Sequence, residues 1–142
     1  MTEKTTLAPD LISAYKLTNF HVKVEPAFTL NVGKVSEELK ALLKQNKVTS
    51  VAFITAWNPY SKSLSDEENQ ARNDQLENEL NLHSLKFING FGQDPLGQWS
   101  GEDSFLVFGI DLEESKKLGD QFEQNAVIWS DIDAVPKLIL LR

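Results

Sequence analysis

The sequence predicts an α+β fold: a single domain built on one mixed, mostly antiparallel sheet with three to four helices packed on it. Three observations lead there. Segments of helical period are interleaved with short runs rich in β-branched and aromatic residues. Hairpin signals at Asp131-Ile132-Asp133 and ahead of Ser104 join neighbouring strands without a helical crossover. A chain of 142 residues, with no internal repeat or linker-like tract, can bury roughly two-thirds of the surface its unfolded form exposes. The expected unit is therefore 1–142, with 1–9 as a flexible N-terminus.

Taken in order, Leu11, Ile12 and Tyr15 after Asp10 predict a short helix, and Phe20 to Val24 and Phe28 to Val32 alternate as two strands around Pro26. Leu39, Leu42 and Leu43 give the apolar stripe of a helix from Val35 to Asn46. Val51 to Trp57 is a continuous apolar run, the pattern of a central strand covered on both faces, and Asn58-Pro59 ends it. The longest helix spans Ser65 to Ser84, opened by Ser65 with Glu68 three residues on, the spacing of a capping box. A strand from Leu85 to Asn89, a long turn-rich loop from Gly90 to Glu102, and a strand from Ser104 to Ile110 follow. A helix from Leu112 to Phe122 and strands from Asn125 to Trp129 and from Lys137 to Leu141 complete the pattern.

Composition removes several functions. Zero cysteines exclude a thiolate nucleophile, a disulfide framework and a cysteine-bound zinc, and they suit a reducing compartment, so the expected location is cytoplasmic. The opening MTEKTTLAPD lacks a secretory profile, and no apolar run approaches the roughly 18 residues of a spanning helix. A net charge of −7, with Lys116-Lys117 as the nearest approach to a basic cluster, disfavours nucleic acid and an anionic membrane surface as partners. The glycines from Gly90 to Gly101 do not have the spacing of a dinucleotide fingerprint, so no cofactor is expected. Asp131 and Asp133 resemble a metal pair, but a turn before Pro136 accounts for them, and no metal is expected. His21 and His83 have no nucleophile or carboxylate companion and read as structural.

The chemistry-bearing positions lie elsewhere. On the long helix, positions 69, 72, 76, 80 and 83 share one face through spacings of 3 and 4. Leu76 and Leu80 mark its buried side, so Asn69 and Arg72 continue the core stripe with polar groups. A buried guanidinium must be met by something, because without a partner it is strongly destabilising. One reading is an internal ion pair, with Glu102 as the carboxylate and Asn69 satisfying loop carbonyls. The other is an anion-binding corner, where the helix N-terminus, Asn69 and Arg72 point beyond the carboxyl end of strand 51–57. Trp99, a large ring in a polar loop, either folds onto the core or walls a site for a flat ligand. Gln124-Asn125 enters an apolar strand with two amides, which cap loop backbone or read a ligand.

At these residues the sequence resembles a bacterial family of uncharacterised proteins, the domain of unknown function 3293 (DUF3293). The likeness runs from Tyr15 to about Trp129 and rests on Thr55-Ala56-Trp57-Asn58-Pro59, Ser65 to Arg72, Gly92 to Trp99 with Asp94-Pro95, Glu102-Ser104-Phe105 and Gln124-Asn125-Ala126-Val127. The resemblance implies a small stand-alone bacterial protein and supplies no activity.

Together these readings predict a pocket for a small anionic or nucleotide-like molecule. Asn58, Asn69, Arg72, Trp99, Gln124 and Asn125 are its ligand-binding residues, and Glu102 is the candidate catalytic acid or base. Arg72 would hold the anion. The alternative is a non-catalytic protein-interaction module whose polar cluster is structural and whose acidic helix surface from Glu67 to Glu79 suits a basic protein partner.

Overall fold

The computed structural model describes residues 5–95 and 101–142. Helices α1 (Pro9–Leu17), α2 (Glu37–Asn46), α3 (Asp66–Leu82) and α4 (Leu112–Gln121) alternate with strands β1 (Asn19–Val22), β2 (Phe28–Leu30), β3 (Val51–Ile54), β4 (Phe87–Gln93), β5 (Glu102–Phe108), β6 (Ala126–Ser130) and β7 (Lys137–Leu140). The strands form one sheet in the order β2-β1-β4-β5-β3-β6-β7. Every pairing in it is antiparallel. The fold is α+β, and no helix among the described residues is long and apolar enough to cross a membrane.

The two-sided burial expected of the 51–57 run follows from the pleat. Val51 and Phe53 face a core completed by Leu39 and Leu43 of α2, whereas Ala52 and Ile54 face a second core completed by Leu76 and Leu80 of α3 and Leu118 of α4. β5 repeats the division, with Leu106 and Phe108 on the first side and Phe105 and Val107 on the second. Two helix-period stripes and two period-2 strands thus meet across one sheet.

Among the differences from the sequence expectation, two strand ends and one helix face bear on the site. β3 stops at Ile54, because the Thr55 hydroxyl donates to the Asp103 carbonyl at 2.6 Å and accepts from the Trp57 N–H at 3.1 Å, replacing the ladder with a side-chain turn. β4 runs on to Gln93, so Gly90 to Gln93 belong to a strand rather than a loop. A Cβ at Gly90 would lie 2.6 Å from the Phe53 ring, and that close approach is why a glycine stands there. The buried stripe of α3 is Asn69, Asn73, Leu76 and Leu80, with His83 exposed at the helix end.

Of the stretch expected to be a flexible N-terminus, Thr5 donates through its hydroxyl to the Arg142 carbonyl and accepts from the Leu7 N–H, and α1 opens at Pro9.

Candidate functional site

Beyond the end of β3 the chain turns sharply. Asn58, Tyr60 and Ser61 all take left-handed backbone conformations, with φ of 46°, 52° and 61°. Each such non-glycine residue costs on the order of 1 kcal/mol, so the segment persists only where its surroundings over-determine it. Asn69 supplies much of that. Its Oδ1 accepts the Asn58 N–H at 2.7 Å, and its Nδ2 donates to the Asn58 Oδ1 at 2.8 Å. The same Asn58 oxygen also accepts the Leu64 N–H at 3.0 Å. One turn along α3, Asn73 accepts the Ala56 N–H at 2.9 Å and donates to the Asp103 carbonyl at 2.8 Å. The core stripe of α3 begins with amides because it closes a loop there.

The Arg72 fork is engaged in the same loop. Nε donates to the Ala56 carbonyl at 2.7 Å, Nη2 to the Phe122 carbonyl, and Nη1 to Glu123 at 3.3 Å. The carboxylate that meets Arg72 is therefore Glu123. Glu102, offered for that role from the sequence, lies on the first-core side of the sheet, whereas Arg72 reaches the loop from the α3 side. Gln124 donates to the Trp57 and Phe122 carbonyls at 3.1 and 3.2 Å. Asn125 donates to Ser61 Oγ at 3.1 Å and to the Tyr15 hydroxyl at 3.3 Å, and those two hydroxyls share a bond of 2.9 Å.

A cleft of about 650 Å³ opens against this loop. α1 contributes Leu11 and Tyr15, the sheet contributes Phe20, Phe53 and Glu102, and the loop contributes Trp57 and Asn58. Asn69 and Gln124 also line it, whereas Arg72 and Asn125 do not. Trp99 lies outside the described residues.

Glu102 is the chemically distinctive group. Burial at the start of β5 pushes its carboxyl up to about 7, opposed by a hydrogen bond from Asn58 Nδ2 that is long, at 3.4 Å. A carboxyl held near neutrality can donate or accept a proton at cellular pH.

The remaining motifs are accounted for locally. Asp131 accepts the Ile132 N–H at 2.8 Å, and Asp133 accepts the Val135 N–H at 3.2 Å and pairs with Lys137 at 3.1 Å, as a turn requires. Among the described residues no group of three or more His, Asp or Glu side chains is placed to hold a metal ion. His21 bonds Thr29 at 2.8 Å, and His83 lies 3.6 Å from Glu79.

The candidate site residues expected from the sequence do not include Asn73, Tyr15 or Ser61. For Asn73 the signal was available, since it stands four residues after Asn69 on the same face. Tyr15 and Ser61 are joined only by the fold.

No curated protein and no solved structure matches the chain. The model of a family described as "Protein of unknown function (DUF3293)" matches residues 54–127, just over half of the chain. That segment carries the turn after β3, the α3 amides, Glu102 and Gln124, and the chain belongs to this family.

Proposed function

We propose that the cleft beside α1 binds a small polar organic molecule and that Glu102 is the group exchanging a hydrogen bond or a proton with it. One observation carries this reading. A half-buried carboxyl, whose hydrogen bond from Asn58 is long at 3.4 Å, lines a cleft of about 650 Å³ together with aromatic side chains. Small-molecule sites have this size and this mixture of apolar wall and few polar groups. A cytoplasmic setting, which the cysteine-free sequence suits, belongs to the same reading, as does the bacterial origin that the family resemblance implies.

The anionic or nucleotide-like ligand expected from Arg72 is the weaker version. The guanidinium is turned to Ala56, Phe122 and Glu123, and among the described residues no Lys or Arg lines the cleft. A phosphate there would lack a cationic partner. The second reading, a protein-interaction module, draws support from the same bonds, because they give Arg72, Asn125 and Asn73 work inside the fold.

Thermal shifts test the proposal, using nucleosides, sugars, amines and carboxylates on the wild type and on Glu102→Gln. A ligand at 100 times its Kd adds about 2.7 kcal/mol. The expected result is a shift in the wild type that shrinks in the variant. No shift with any class, or a shift of equal size in both proteins, overturns the proposal.

A further inference from the structure

We infer that the molecule in this cleft is an organic cation, its protonated amine set between the Glu102 carboxylate and the aromatic side chains lining the same space. The inference rests on the cleft being a small-molecule site and goes further by assigning the charge of the occupant. Among the described residues, the ionisable side chains lining the cleft are Glu102, Asp66 and Tyr15, and none of these is basic. Among the described residues, the aromatic side chains of Tyr15, Phe20, Phe53 and Trp57 line the same volume. Carboxylate together with aromatic rings is the combination that favours a cation, through Coulomb attraction and the negative faces of the rings.

Three cations of the described fold, Arg72, Arg142 and Lys23, are already engaged. Arg72 holds two carbonyls and Glu123. Arg142 stands 4.3 Å over the Tyr60 ring, and Lys23 pairs with Asp103 at 3.9 Å. The α3 N-terminus would by itself favour an anion. Here Asp66, Glu67 and Glu68 occupy its first turn, and Ser65 Oγ accepts the Glu68 N–H at 3.1 Å. Asp94, at the end of β4, is buried and has a partner. A net charge of −7 also draws cations toward the molecule.

Three probes of one shape separate the charge states: 2-phenylethylamine, 2-phenylethanol and phenylacetate, each titrated to tens of millimolar against the whole protein. The amine is expected to bind at least tenfold more tightly than either analogue, and Glu102→Gln to remove that preference. The wild type supplies a readout that needs no variant. With the Glu102 carboxyl near 7, its ionised fraction rises about tenfold between pH 6 and pH 8, and the amine stays protonated throughout. Amine affinity should therefore rise about tenfold over that interval. Alcohol or phenylacetate binding as tightly as the amine, amine affinity that falls with pH, or no amine binding at all overturns the inference. Binding of the alcohol alone would leave the small-molecule cleft standing and reject only the cation. Failure of all three probes and of the wider ligand panel would reject both.

Discussion

Raising the pH from 5 to 8 ionises the Glu102 carboxyl inside the fold, where it is poorly solvated. Its folded-state value of about 7 lies above the 4.5 of an ordinary glutamate, so between those values the native state keeps a proton that the unfolded chain has released. Stability contributed by the neutral form is complete below about pH 4.5 and is lost as the pH rises through 7. Discounted for partial exposure, the loss is roughly 2 kcal/mol. Denaturant titrations at pH 5 and pH 8 should show that loss in the wild type and a flatter response in Glu102→Gln. Arg72→Ala should cost roughly 3 kcal/mol, because it strands the Ala56 carbonyl and breaks the pair with Glu123. Arg72→Lys should recover only part, since an ammonium cannot hold two carbonyls and a carboxylate in one plane. That Arg72 needed a partner was legible from its place beside Leu76 and Leu80. Which partner was not, because Glu123 lies beyond α4 and reaches Arg72 through a left-handed residue that no periodicity announces.

Elements show the same division between local and distant causes. The capping box of α3 is readable because both of its partners lie within four residues, and Ser65 and Glu68 form it. The sequence predicts too short a β4 because glycines at 90 and 92 look like turn residues. What selects glycine at 90 is the Phe53 ring pressing on the strand from another part of the chain. The α4 helix poses a similar case at Gly119, where an added Cβ would fall 2.7 Å from Val127 Cγ1 and 2.5 Å from Leu141 Cδ1. In an exposed helix Gly→Ala would stabilise by about 1 kcal/mol. Gly119→Ala should instead be destabilising by about 1 kcal/mol or more, since α4 must lift from β6, and a fall in Tm would record it.

For the molecule as a whole, the fold class was legible because runs of two-sided burial need a sheet with helices on both faces. The strand order was not, because β3 pairs with β5 and β6 rather than with strands beside it in sequence. Native-state hydrogen exchange should follow this architecture. Amides of β3 and β5 should exchange slowest and those of α1, which has no buried residue, fastest. The position of β3 also matters while the chain is being synthesised. Val51–Ile54, apolar on both faces, leaves the ribosome roughly 50 residues before β5 begins at Glu102. At about 5–20 residues per second, it waits about 2 to 10 s for its first sheet partner and longer for β6. Throughout that interval both edges of the most apolar strand are open to other nascent chains, which makes this segment the one a chaperone has most reason to hold.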